Sequence, residues 1–159
     1  MPGASDGVGS SHVPTVIRAP RKKVYEAFLD PNAVAAWLAP DTMRAHVHTL
    51  NPREGGTFRV SLTYQNPEDL QRGKTAGATD TYQGRFVKLV PYELIVEAIE
   101  FESQELGFAG EMTMTVTLAD VDGGTEVTLR YDNVPAGIRP EDNETGSRQS
   151  LQKLAALLA

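Results

Sequence analysis

The sequence predicts an α+β fold in which a curved, mostly antiparallel sheet wraps around one long C-terminal helix, with two short helices between the first two strands. Three observations carry this prediction. From about Met43 to Asp132 the chain is a succession of segments rich in Thr, Val, Tyr and Phe, separated by turn residues. The last stretch, NETGSRQSLQKLAALLA, repeats apolar and small residues at helical spacing. Between a first β-branched run and the strand series stand two short helical patterns, each bounded by proline.

In chain order, HVPTVIRAP reads as a first strand that stops at Pro20. RKKVYEAFLD places Val24, Phe28 and Leu29 at helical spacing, and Asp30 followed by Pro31 ends this helix and starts a second, PNAVAAWLA, which Pro40 closes. Six strand segments follow: MRAHVHTL, TFRVSLTYQ, TDTYQGRFVKLV, ELIVEAIEFE, GEMTMTVTLAD and TEVTLRYD. The linkers NPREGG, VPYE and DGG supply turn residues, so neighbouring strands are expected to pair as an antiparallel meander. Phe58, Val60, Leu62 and Tyr64 alternate with polar residues, as do Met112, Met114, Val116 and Leu118, and Val127, Leu129 and Tyr131 continue the pattern. One face of the sheet is therefore oily. ELIVEAI is apolar on both faces and its orientation stays open. A meander with one oily face needs a cover, which only the terminal helix is long enough to provide.

On that helix Ser147, Ser150, Leu151, Leu154, Ala155 and Leu158 share one face. Half of the face is small and polar where a solid core would want large apolar groups. Either the serines bond to carbonyls one turn back, or they border a space that something else fills.

Composition narrows the function. A chain of 159 residues with 40% hydrophobic content suffices for one domain, expected over 12–159 after a disordered tail at 1–11. A net charge of -6, with 15 Lys and Arg never gathered into a long basic run, argues against nucleic acid and an anionic membrane surface as partners. No apolar run approaches the ~20 residues that span a bilayer. The absence of cysteine removes thiolate metal sites and cysteine nucleophiles. With no cationic start or apolar stretch in MPGASDGVGSS, a cytoplasmic location is expected.

The segments IRAPRKKVYEAFLDPNAVAAWLAP, REGGTFR, YQGRFVKLVPYELIV, GEMTMTVTL, GGTEVTLRYDNVPAGI and GSRQSLQKLAALL cover nearly everything after His12. In wording and order they resemble the helix-grip, START-like (SRPBCC) superfamily, and within it bacterial proteins similar to the C-terminal domain of the Hsp90 ATPase activator (AHSA1-like). The resemblance implies a deep pocket between the long helix and the concave sheet, used across the superfamily for lipids, hormones, polyketides and other apolar molecules. It implies no shared catalytic residue. In many relatives a tryptophan follows the glycine that opens the last helix, where this chain has Ser147 after Gly146.

The expected function is therefore binding of a small apolar or amphipathic ligand, with Trp37, Tyr64, Tyr82, Met112, Met114, Ser147, Ser150, Leu151 and Leu154 as its contacts. No cofactor is expected, and homodimerisation is left open. Two alternatives stand beside this one. A cyclase- or hydrolase-like enzyme would use one cavity carboxylate, Glu97 first, with Tyr82 or Tyr64 as a donor to a substrate carbonyl. Glu97 and Glu100 have opposite parity on a regular strand, so at most one points inward, and either is otherwise expected in solvent or paired with Arg85 or Arg130. A co-chaperone of an Hsp90-type ATPase, from the resemblance alone, ranks last. His46 and His48 point to one side of their strand, but no third donor is identifiable, so no metal is expected. The REGGTF loop joins two strands and opens no helix, which excludes a phosphate-cradling role.

Overall fold

The computed structural model describes residues 11–65, 78–103 and 106–159. The expected tail falls outside these residues except for Ser11, which already belongs to the first strand. The elements run β1 (Ser11–Ile17), α1 (Arg21–Leu29), α2 (Pro31–Trp37), β2 (Met43–Leu50), β3 (Thr57–Tyr64), β4 (Thr79–Val90), β5 (Leu94–Phe101), β6 (Glu111–Val121), β7 (Gly124–Asp132) and α3 (Pro140–Leu158). A 3₁₀ turn occupies Leu106–Phe108.

The strands form one sheet in the order β1-β7-β6-β5-β4-β3-β2, every neighbour antiparallel. Strands β2 to β7 are the expected meander, and β1 joins it by pairing with β7. The edge strands are thus β1 and β2, and α1 and α2 carry the chain from one edge to the other. The sheet curls into a half-barrel whose hollow receives α3.

Local chemistry explains where the helices start. Asp30 caps α2 by accepting from the Asn32 amide at 3.0 Å, and Pro31 stands at the first helical position, where its missing N–H costs nothing. The Trp37 indole N–H donates to the Ala27 carbonyl at 3.0 Å, so α2 is locked onto α1 and the ring is turned into the molecule. Pro140 opens α3, with Glu141 and Asp142 in the first turn beside the positive end of the helix dipole.

Two irregularities tighten the curl. The β4–β5 register shifts between Phe86 and Lys88, and the β2–β3 register between Val47 and Thr49, so Val87 and His48 are extra residues. Each bulge reverses the alternation, which lets Leu89 follow Phe86, and Leu50 follow Val47, on the concave side. Gly84 marks a third bend: a Cβ there would collide with the Ala98 carbonyl oxygen and lie 2.6 Å from Phe58 Cζ. Gly84→Ala is accordingly expected to cost about 1–3 kcal/mol in a denaturant titration; an unchanged midpoint would show that the Phe58 ring does not rest on this backbone.

The core lies between the concave face and the helices. Leu151 and Leu154, both 0% exposed, pack where α3 lies against β1, in one cluster with Val13, Ile17, Val24 and Val127.

Candidate functional site

Towards the N-terminal half of α3 the hollow of the sheet is not filled by side chains. A cavity of about 500 Å³ remains there, walled by β2 to β7 on one side and by α1, α2 and α3 on the other. Its exposed rim includes Thr42, Arg139 and Asp142. The wall is mainly apolar and aromatic. Phe28 and Trp37 meet edge to face at 4.7 Å, and Tyr82 stands edge-on to Phe58 and Phe101 at 6.4 and 6.0 Å. Met112 and Met114 add adaptable thioethers from β6.

Of the residues expected to contact a ligand, Trp37, Tyr64, Tyr82, Met112, Met114, Ser147 and Ser150 all line this cavity. Leu151 and Leu154 do not line it. The helical period places them on the right face, but one turn further along α3 the sheet closes on the helix and leaves no space beside them.

The two serines answer the question of the split face in different ways. Ser150 bonds one turn back, to the Gly146 carbonyl at 3.0 Å, and also reaches the Leu38 carbonyl at 2.6 Å, fastening α3 to the end of α2. Ser147 instead shares a 2.8 Å hydrogen bond with the Tyr131 hydroxyl of β7. That bond crosses from helix to sheet at the cavity wall. The Tyr131 phenol is raised to about 12, chiefly by burial, against the smaller lowering effect of the Ser147 bond.

Glu97 lies at the wall and is 9% exposed. Pairing with Phe86 on β4 and Met114 on β6 puts it on the concave face with Ile99 and Phe101, whereas Glu100 points outward and is exposed. The salt partners weighed for it are used elsewhere: Arg85 holds Glu111 at 2.8 Å and Arg130 holds Asp132 at 3.2 Å. Among the described residues the Glu97 carboxyl makes no hydrogen bond. Burial raises it from 4.5 to about 8, so the group is protonated at neutral pH. Burial, followed by the nearby Glu97 carboxyl, also raises the Tyr82 phenol well above its ordinary value.

A second carboxyl, Asp80, shares the cavity wall and is 2% exposed. It lies in the segment TDTYQGRFVKLV, outside the expected set of ligand contacts. The signal was present, since Asp80 and Tyr82 are two residues apart on one strand and must share a face.

His46 and His48 are exposed on the convex side, their rings 4.5 Å apart, and His48 Nε2 and Ser61 Oγ share a 2.8 Å hydrogen bond. No group of metal-binding side chains forms among the described residues.

Comparison with known proteins agrees with this architecture. The family described as Activator of Hsp90 ATPase homolog 1-like protein matches residues 18–159. Protein CV1439 from Chromobacterium violaceum is similar at 32% identity and a TM-score of 0.84, over 94% of this chain and 96% of that one. A protein from Rhodobacter sphaeroides shares the fold at 19% identity and a TM-score of 0.78, over 98% and 95% of the two chains. DynU16, from the dynemicin biosynthetic locus, shares it at 21% identity and a TM-score of 0.67, over 96% of this chain and 48% of that one. None of the curated proteins matches.

Proposed function

The chain belongs to the Activator of Hsp90 ATPase homolog 1-like family, and from that premise we propose that it binds a small apolar or amphipathic molecule between α3 and the concave sheet. The observation that carries this reading is the cavity. Its volume, about 500 Å³, falls within the range of small-molecule sites. Aromatic rings and methionines supply apolar contact of adaptable shape, and a few hydroxyl and carboxyl groups fix orientation. Titration with a neutral naphthyl probe, followed by calorimetry, tests it: one saturable site per chain is expected, and no heat of binding would overturn the reading.

Glu97 favours a second reading, a cyclase- or hydrolase-like enzyme. A carboxyl held near pH 8 is poised to give or take a proton at neutral pH. Tyr82 and Tyr64 line the same cavity and offer hydroxyls to a substrate carbonyl. Binding comes first in both readings, so the calorimetric test bears on each.

A further inference from the structure

Resting on the cavity as a ligand site, we propose that its ligand is an apolar amine, whose ammonium group meets the Glu97 carboxyl at the buried end while its apolar body lies among the aromatic rings and methionines. The charge pattern of the wall points this way. Among the described residues its titratable groups are Tyr64 from β3, Asp80 and Tyr82 from β4, Glu97 from β5, Tyr131 from β7, Arg139 at the N-cap of α3 and Asp142 in its first turn; β2, β6, α1 and α2 contribute none. Every buried member of this set is an acid. The one cation in this described set, Arg139, sits at the rim with its side chain 71% exposed and turned to Glu141 at 3.5 Å. Lys153, further along α3, donates to the Ala39 carbonyl instead.

Within that wall Glu97 is 9% exposed, its carboxyl is open to the cavity, and it makes no hydrogen bond among the described residues. A buried carboxylate is costly unless a counter-charge accompanies it. An ammonium group supplies that charge and three donors. A carboxylate ligand would set its negative charge against the Glu97 carboxyl, with no cation buried in the wall among the described residues. A neutral alcohol would be accepted without either effect.

Proton linkage follows from the same contact. In the free protein Glu97 holds its proton up to about pH 8, and pairing with an ammonium requires the carboxylate, so binding releases that proton. Amine affinity should then rise with pH below 8, by up to about tenfold per pH unit, and level off above it.

Three probes with one naphthyl body test the proposal on the intact chain: naphthylmethylamine, naphthalenemethanol and naphthoic acid, each titrated from about pH 6 to 8. The amine is expected to bind at least tenfold more tightly than the alcohol at pH 8, with the acid weakest, and only the amine should gain affinity as pH rises. In Glu97→Gln the amine's advantage over the alcohol should fall below threefold and its pH dependence should flatten. Equal binding of all three probes, or tightest binding of the acid, would overturn the amine proposal and leave the cavity reading standing. Binding of none would overturn both.

Discussion

Replacing Glu97 with glutamine is expected to stabilise the protein by about 3 kcal/mol at pH 7 and to leave it nearly unchanged at pH 4. Burial raises this carboxyl from 4.5 to about 8 in the folded chain. Between those values the folded state keeps a proton that the unfolded state has released, so unfolding loses a proton and stability falls as pH rises. The contribution is fully present below about pH 4.5 and is lost on the way to pH 8 at about 1.4 kcal/mol per pH unit. Glutamine has nearly the same shape and stays neutral throughout, so the variant escapes this decline. Denaturant titrations of parent and variant across pH 4 to 8 should diverge steadily as pH rises. Parallel curves would mean that Glu97 titrates as a solvated side chain and that the cavity holds no poised acid.

Ser147→Trp is expected to leave stability equal or higher while weakening binding of a naphthyl probe at least hundredfold. The serine sits at the cavity wall, and its loss removes the 2.8 Å bond to Tyr131, a contribution of about 1 kcal/mol. An indole turned into the cavity offsets this by burying apolar surface, which for a large side chain is worth about 1.5–3 kcal/mol. The same ring then occupies the space a ligand needs. In a closed core the substitution would overpack and cost about 1–3 kcal/mol. A thermal melt beside the probe titration separates the two, because a destabilised variant with unaltered binding would place Ser147 in ordinary packing.

Much of this architecture is written in local pattern. Alternation along β3, β6 and β7 assigned Phe58, Val60, Met112, Met114, Leu129 and Tyr131 to the concave face, where the structure has them. Pro31 and Pro40 punctuated the short helices for reasons of backbone chemistry alone. What stayed hidden depends on register or on depth. The direction of Glu97 could not be read from a strand apolar on both faces, and becomes fixed only by its pairing with Met114. The bulges at His48 and Val87 break the two-residue period without a glycine to announce them. Helical spacing put Leu151 and Leu154 on the ligand-facing stripe, yet a stripe carries no information about where along the helix the sheet closes. Asp80 was hidden by its threonine neighbours, although its parity with Tyr82 was enough to find it.

The central claim is that a ligand occupies the space between α3 and the sheet, and methyl NMR tests it at the site itself. Met43, Met112 and Met114 line the cavity, whereas Val16 and Val87 are exposed and stand outside it. On adding the neutral naphthyl probe, the three methionine methyls are expected to shift together and saturate at one probe per chain, with the valine methyls still. Probe binding that leaves the methionine methyls unmoved would place the ligand elsewhere on the molecule and contradict the account.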